Sequence, residues 1–289
     1  MLGERPYAYA KACGIIGRSF IGKRLSRLEK ASRLSELDRM IFPDASRDLP
    51  EKELLVDLEE RIISRAASSI NAIVDSFSKP PQFLRLLVQS EESLKEELGD
   101  EKQGDASMQS ALMDQRYYKA LWKALFALPR KDRQATEKIL ADEISLKNSS
   151  WALRLRTYYH LPPDKVKPYL IDIARGNKRP SLAYEAIQSL DFPLDSISAW
   201  SSWRWKDFLN EASGHMHWHA EPRHFQNAAS RHLYRLARHH FHLSPFSLDS
   251  IFCFIKLKEF EEDILISSAE GLSIGMSSSE IFSMLGVEA

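Results

Sequence analysis

The feature that most constrains this chain is a long apolar segment near its C-terminus, residues 244–285. Its apolar side chains would cover more than half of a helical circumference, whereas a helix at a protein surface needs only a narrow apolar stripe. We therefore predict a long helix that is buried on most sides. Ser244 or Ser247 is a candidate N-cap for this helix, and Gly271 is a candidate stop.

The rest of the chain also has helical periodicity, and no stretch alternates apolar and polar residues as a strand does. After Gly271, Ser277 and Glu280 have the spacing of a capping box before a short final helix. We therefore predict an all-α fold. Its other main helices are expected at residues 7–30, 51–77, 83–98, 108–127, 131–159 (one helix or a broken pair), 180–190 and 225–241.

A long helix followed by a break and a short acid-capped helix recurs three times along the chain, without a strict sequence period. A polar, glycine-containing stretch at 99–107 is the best candidate linker. The pattern favours similar helical lobes over a regular solenoid. The predicted lobes are residues 1–105, 106–195 and 196–289.

Composition argues against a nucleic-acid-binding protein. The chain has 40 Lys and Arg against 40 Asp and Glu, so no net field attracts nucleic acid or an anionic membrane surface. The charge is uneven, with a basic segment at 1–39 and an acidic one at 249–289. This unevenness suits protein contacts at opposite ends, or reflects ordinary solvated helix faces. Two cysteines without metal spacing indicate a reduced, cytosolic compartment, and we expect neither a signal peptide nor a membrane span.

Small residues share one face of the N-terminal helix. Ala10, Gly14 and Gly17 lie there, which lets another backbone approach closely, so a bulky residue at Gly17 is expected to destabilise the fold by overpacking. The sequence GRSFIGKR, which begins at Gly17, nearly fits the phosphate-binding loop. However, Arg24 replaces the hydroxyl that would bind Mg²⁺, and no strand precedes it. A glycine-containing packing helix is the preferred interpretation.

Histidine and tryptophan are concentrated in one region of the chain. His215, His217 and His219 alternate as zinc ligands can in an extended segment, yet no cysteine or well-spaced carboxylate joins them. We interpret them as a surface loop and expect no metal. Four tryptophans between residues 200 and 218 are predicted to fill a core or a protein interface rather than to stack on bases.

No motif of a catalytic nucleophile or a metalloprotease is present, and we expect no active site and no cofactor. Carboxylates inside apolar patterns still need partners, because an unpaired buried charge is costly. Glu143 and Glu259 are candidates for burial, and Arg154, Arg156 and Lys258 are their candidate partners. We interpret these residues as structural pairs that hold helices together.

Four short segments occur in an order that is typical of one protein family. They are YAYAKA at 7–12 with LSEL at 34–37, LMDQRYY at 112–118, EISLKN at 143–148 with RLR at 154–156, and the stretch 245–285. Together they resemble the C/d subunit of V-type (vacuolar/archaeal-type) ATPases over nearly the whole chain. Ser145 stands where that family usually has aspartate.

The resemblance implies a non-catalytic rotor subunit, a funnel of three helical lobes. Such a subunit joins the central-stalk subunits of the soluble ATPase sector to the proteolipid ring. It is peripheral, on the cytoplasmic face of the membrane, and couples ATP hydrolysis or synthesis to proton or sodium transport. The alternatives are a generic helical scaffold that binds a partner helix and, third, a metal-dependent helical enzyme. The expected structural polar network is Asp114, Tyr117, Glu143, Asn148, Arg154, Arg156, Lys258 and Glu259.

Overall fold

The computed structural model describes residues 3–98, 106–176, 179–211 and 217–285. Within these ranges it contains α-helices, short 3-10 helices and irregular segments but no strands, which confirms the all-α prediction. None of the described helices is both long enough and apolar enough to cross a bilayer. The α-helices are α1 (Glu4–Ile16), α2 (Leu34–Ile41), α3 (Glu51–Val74), α4 (Gln82–Val88), α5 (Glu91–Leu98), α6 (Ala106–Phe126), α7 (Gln134–Thr157), α8 (Pro163–Val166), α9 (Tyr184–Ser189), α10 (Pro222–Phe241), α11 (Leu248–Ser273) and α12 (Ser278–Leu285).

The chain divides into two compact units. Unit 1 combines the two ends of the chain, up to Leu84 and from Tyr234 onward, and unit 2 is the intervening segment Arg85–Leu233. The two boundaries fall inside α4 and α10. The three lobes at 1–105, 106–195 and 196–289, and their funnel arrangement, stay a prediction.

Unit 1 is built around α11. This helix packs most extensively against α3 and also contacts α1, α2 and α12. Its buried residues include Phe252, Phe254 and Leu257, which point in different directions around the helix axis, so the predicted burial on most sides is confirmed. Ser247 is its N-cap, and the side chain accepts a hydrogen bond from the backbone N–H of Ser250 at 3.4 Å.

The C-terminal end of α11 differs from the prediction. The helix continues through Gly271, and the left-handed turn after it is made by Gly275, with φ of 81°. Gly271 is buried because α12 packs directly onto it. A Cβ placed there would lie 2.6 Å from both Cγ1 and Cδ1 of Ile281. Glycine at this position thus allows α11 and α12 to pack closely, and it does not end α11.

The predicted capping box at the start of α12 is confirmed. The Ser277 hydroxyl donates to the Glu280 carboxylate at 2.6 Å, and the backbone N–H of Glu280 donates back to that hydroxyl at 3.3 Å. Helix α12 also packs against the 3-10 helix Gly22–Lys30. The basic N-terminal and acidic C-terminal segments therefore adjoin within unit 1. Separation in sequence is therefore not separation in the fold, and this adjacency does not support the interpretation as contacts at opposite ends.

The predicted N-terminal helix is in fact two elements. Helix α1 ends at Ile16, and a turn leads to the 3-10 helix Gly22–Lys30, whose first residue, Gly22, has φ of 62°. Ala10, Gly14 and Gly17 are exposed, and a Cβ placed on Gly14 would meet no atom within 4 Å. The small face is therefore exposed and is not closely packed against a neighbouring helix. A Cβ placed on Gly17 would lie 3.2 Å from the backbone oxygen of Cys13, so a larger residue there is expected to strain the end of α1 rather than to overpack a helix interface.

In unit 2 the central element is α7, which is a single continuous helix. It packs against α6, α8 and α9. One core cluster joins α7 to the tryptophan-rich segment, and another joins it to α8 and α9. The segment 83–98, predicted as one helix, is divided into α4 and α5 by a break at 89–90.

Candidate functional site

The most unusual polar group of unit 1 is a buried ion pair on α11. Lys258 and Glu261 are 3% and 1% exposed, and the ammonium group donates directly to the carboxylate. Their spacing of three residues places them on one face of the helix. Lys258 also donates to the Ser19 hydroxyl at 3.3 Å, and the backbone N–H of Phe20 donates to Glu261 Oε1 at 2.7 Å. The pair thus fixes the turn after α1 to α11.

Helix α3 contributes a second cation to this cluster. The Arg65 guanidinium lies 3.6 Å from Glu261 Oε1, and a hollow of about 170 Å³ lies beside the three charged groups. Burial lowers the pKa of Lys258, although the adjacent Glu261 opposes this shift. Burial likewise lowers the pKa of Arg65. Two partly desolvated cations thus share one carboxylate, and this cluster links α1, α3 and α11.

The carboxylate that pairs with Lys258 is therefore Glu261, not the predicted Glu259. The side chain of Glu259 is 42% exposed and pairs with Lys256 at 2.9 Å. Consecutive residues differ by about 100° around a helix axis, so a neighbour of a buried position need not be buried. The apolar pattern identified the run of acids but not which member points inward.

Asn148 on α7 is fully buried and ties two non-helical segments to the helix. Its amide nitrogen donates to the carbonyls of Ile171 at 2.9 Å and Leu182 at 3.2 Å. Its amide oxygen accepts from the backbone N–H of Ile171 at 2.7 Å. One side chain thus satisfies three buried backbone groups, which would otherwise be costly to bury.

Helix α6 is joined to α7 by the other predicted polar residues. Lys147 pairs with Asp114 at 2.9 Å, and the Tyr118 hydroxyl donates to Glu143 at 3.0 Å. Tyr117 packs edge to face against Tyr118. Burial, together with the nearby Glu143 carboxylate, raises the pKa of Tyr118 well above its ordinary value. The tyrosine is therefore a hydrogen-bond donor at any physiological pH.

The two predicted arginines make contacts other than an ion pair with Glu143. Arg156 donates to the carbonyls of Ser189 at 2.6 Å and Phe192 at 2.7 Å, at the end of α9. Burial lowers the pKa of Arg156. Arg154 is exposed and lies over the ring of Trp151 at 5.7 Å. Arg156 is thus a bridge from α7 to the backbone after α9, whereas Arg154 is a surface residue.

The sequence pattern missed a second buried carboxylate, Asp142. This residue is 5% exposed and accepts from Arg204 at 2.5 Å and from His232 Nε2 at 3.1 Å. Burial by itself raises the pKa of Asp142, but the hydrogen bond from His232 and the charge of Arg204 outweigh it and hold the pKa below its ordinary value. Nearby, the Trp205 indole donates to the Ser145 hydroxyl at 3.1 Å. That serine is the departure from the family pattern noted in the sequence.

The tryptophans of the aromatic segment are core residues. Trp200, Trp203, Trp205 and Trp218 are all buried in unit 2. Each indole N–H donates to a protein acceptor, for example from Trp200 to the Pro193 carbonyl at 2.8 Å. They pack a core, and their faces are not free to stack on bases.

The candidate metal and phosphate motifs have ordinary surroundings where the structure describes them. His215 lies outside the described residues, whereas His217 and His219 are exposed. In the described ranges, no group of three metal-binding side chains is placed to hold an ion. The stretch that begins at Gly17 follows a helix, and the N–H of Gly22 donates to the Tyr234 hydroxyl.

Comparison with known proteins gives a family match and a distant relative. A family model described as ATP synthase (C/AC39) subunit matches residues 49–284, well over half of the chain. An uncharacterized protein of Treponema pallidum (strain Nichols) is 32% identical over 164 residues, which are 56% of this chain and 48% of that protein. The match thus spans about half of the length of that relative.

Proposed function

Since the chain belongs to the ATP synthase (C/AC39) subunit family, we propose that it is a non-catalytic rotor subunit of a V-type ATPase or ATP synthase. In this role it acts as a socket that grips the central-stalk subunits and rests on the proteolipid ring of the membrane sector. It couples ATP hydrolysis or synthesis to the transport of protons or sodium ions. It is a peripheral subunit on the cytoplasmic face, and its three helical lobes form a funnel.

The observation that carries this proposal is the extent of the family match. The matched range, 49–284, runs from the start of α3 to the end of α12 and therefore includes parts of both units. A match to a single helical hairpin would be explained by helical periodicity alone. A match across this length reflects the order and spacing of many elements.

The polar networks support a mechanical role. A part that transmits torque has to resist sliding of one helix past another under load. In unit 1 the Lys258–Glu261 pair fixes the turn after α1 to α11, and in unit 2 Asn148 fixes α7 to the segments at Ile171 and Leu182. Removing one partner of a buried pair costs roughly 3–5 kcal/mol, so such contacts oppose local slippage strongly.

Co-purification tests the proposal directly. The full chain, tagged in its native host, is recovered from membranes that have been solubilised in a mild detergent, and the bound proteins are identified by mass spectrometry. We expect catalytic, central-stalk and proteolipid subunits of a V-type ATPase in stoichiometric amounts. Recovery of the chain from these membranes without any such subunit would refute the proposal.

A deletion strain tests whether the chain is needed to couple ATP hydrolysis to ion transport or is only bound to the complex. We expect membranes without this chain to lose ATP-driven ion uptake while the soluble sector keeps its ATP hydrolysis. Re-expression of the chain is expected to restore uptake. If ion uptake stays at the level of the parent strain, the chain does not couple the two sectors.

A further inference from the structure

A basic hollow lies on the surface of unit 2, beside the Asp142–Arg204 ion pair. Its volume is about 370 Å³. Its walls come from the turn before α7, the first turns of α7, the segment that follows Ile171, and the loop that carries Arg204. The lining residues are Arg130, Gln134, Glu137, Lys138, Ala141, Asp142, Arg175, Arg179 and Arg204.

A second hollow of about 470 Å³ adjoins the first. The two share Glu137, Arg175 and Arg179, so they form one continuous depression. The second hollow adds Trp122 and Phe126 from the end of α6. The basic hollow is thus continuous with a second hollow whose lining is partly aromatic.

The acidic groups of the basic hollow are already paired. Glu137 lies 3.3 Å from the Arg179 guanidinium, and Asp142 lies 2.5 Å from that of Arg204. Each of these pairs contributes one positive and one negative charge. The two pairs therefore add no net charge, and the net charge of the hollow is set by its remaining side chains.

The remaining charged side chains of the hollow are all cationic, and the other two, Gln134 and Ala141, are uncharged. Among the described residues, Arg130, Lys138 and Arg175 line the hollow and form no ion pair. Three uncompensated positive charges in one depression repel one another. A charge excess of this kind, concentrated in a concavity, attracts anions.

Arg175 lines the hollow and also carries an unsatisfied hydrogen-bond donor. Its side chain is half-buried, and its Nε–H is buried without a hydrogen-bond partner in the described structure. Burial lowers the pKa of Arg175, and the neighbouring Arg179 lowers it further, although Glu137 opposes the shift. An unsatisfied buried donor lowers the stability of the folded chain, so Arg175 is held at this position at a cost.

We propose that this hollow binds a small anion that carries two or more phosphoryl groups. The planar fork of arginine donates two parallel hydrogen bonds to phosphate oxygens, so several arginines around a concavity suit such a ligand. Three unpaired cations match the charge of a diphosphate or triphosphate group better than that of a single carboxylate. The second hollow leaves room beside Trp122 and Phe126 for the organic part of a nucleotide.

The proposal predicts opposite effects of one substitution on stability and on binding. Replacing Arg175 with methionine removes the unfilled donor and relieves repulsion among the cations. The Arg175→Met chain is therefore expected to melt at a higher temperature than the parent when no ligand is present, yet to bind pyrophosphate more weakly. A residue with only a structural role would not separate the two readouts in this way.

Titration calorimetry on the full chain tests the proposal with pyrophosphate and ATP as probes. Sulfate and citrate at the same ionic strength are the control anions. We expect pyrophosphate to bind at least about tenfold more tightly than either control, and Arg175→Met to weaken it by about tenfold or more. Arg130→Met, at an exposed position, is a second variant that is not expected to disturb folding. Arg154→Met is the matched control, because Arg154 is exposed, stacks on a tryptophan and lies outside the hollow.

Each outcome supports the proposed site or overturns it. Equal affinities for pyrophosphate and ATP would show that only the phosphate groups are recognised. Tighter binding of ATP would show that the second hollow also contacts the ligand. Citrate binding as tightly as pyrophosphate would overturn the proposal in favour of an acidic protein segment. It would also be overturned if neither phosphate bound at millimolar concentration, or if Arg154→Met weakened binding as much as Arg175→Met. The assay uses the isolated chain, so its failure would leave the proposed rotor role unaffected.

Discussion

Replacing Gly271 with alanine should destabilise unit 1, although alanine is the better helix former. Gly271 lies inside α11, where glycine-to-alanine changes usually stabilise by roughly 0.5–1 kcal/mol. Here the new Cβ would lie 2.6 Å from Cγ1 and Cδ1 of Ile281. Carbon atoms in contact are ordinarily about 3.5–4.0 Å apart, so Ile281 or the whole of α12 has to shift. Overpacking of this kind costs about 1–3 kcal/mol, and we expect a net loss of about 1–2 kcal/mol.

Gly14 provides a matched control for this substitution. It too is a helical glycine of unit 1, but a Cβ placed there would meet nothing within 4 Å. Gly14→Ala should therefore raise stability by about 0.5–1 kcal/mol through helix propensity alone. The same chemical change is expected to have opposite signs at the two positions.

A double-mutant cycle with Ile281 identifies the contact that is responsible. Ile281→Ala removes both carbons that clash and should by itself cost roughly 2–5 kcal/mol, because the side chain is buried. In that background we expect Gly271→Ala to become stabilising, like Gly14→Ala. The coupling energy between the two positions should then be about 1–3 kcal/mol.

Urea unfolding followed by far-UV circular dichroism is the appropriate assay. All six tryptophans lie in unit 2, so intrinsic fluorescence does not report directly on the unit that contains these positions. The reasoning is refuted if Gly271→Ala and Gly14→Ala stabilise the parent chain equally. It is also refuted if the effect of Gly271→Ala is the same with and without Ile281.

Three further changes test the polar networks. In urea unfolding, Lys258→Met should cost roughly 3–5 kcal/mol because it leaves Glu261 buried without its main partner. Lys256→Met, in a pair whose side chains are 16% and 42% exposed, should cost less, about 1 kcal/mol. Equal losses would contradict the assigned burial. Asn148→Ala should lower the free energy of unfolding by roughly 3 kcal/mol, read from tryptophan fluorescence, since it leaves three buried backbone groups unsatisfied. The pKa of Asp142 is lowered on folding, so its contribution is fully present above the ordinary pKa of 3.8 and is lost as the pH falls through the lower folded value. The parent should therefore lose stability more steeply in acid than Asp142→Asn, and parallel curves of stability against pH would contradict this.

Long helices with a sustained apolar period were predictable from the sequence. The range predicted for α3, 51–77, compares with Glu51–Val74, and 225–241 compares with Pro222–Phe241 for α10. Gly271 shows where such reasoning fails. A glycine lacks a Cβ whether it ends a helix or admits a neighbouring one, and only the position of Ile281 decides between the two.

Not every member of the expected polar network is buried. Asn148 and Lys258 are buried, whereas Arg154 is exposed and Glu259 is partly exposed. The partners of Asn148 and Lys258 were not predictable, because Ile171 and Ser19 are brought close by the fold and not by helical spacing. Asp142 was missed for the same reason, since both Arg204 and His232 lie far away in sequence.

The discontinuity of unit 1 dictates the order in which the chain can mature on the ribosome. Helix α3 is translated before unit 2, but α11, which packs on its apolar face, is translated only after unit 2. The uninterrupted stretch Arg85–Leu233 is complete in the nascent chain before α11 exists. Until then Leu54, Leu58 and Ile62 lack the part of their native cover that α11 provides, which leaves apolar surface accessible to chaperones during synthesis.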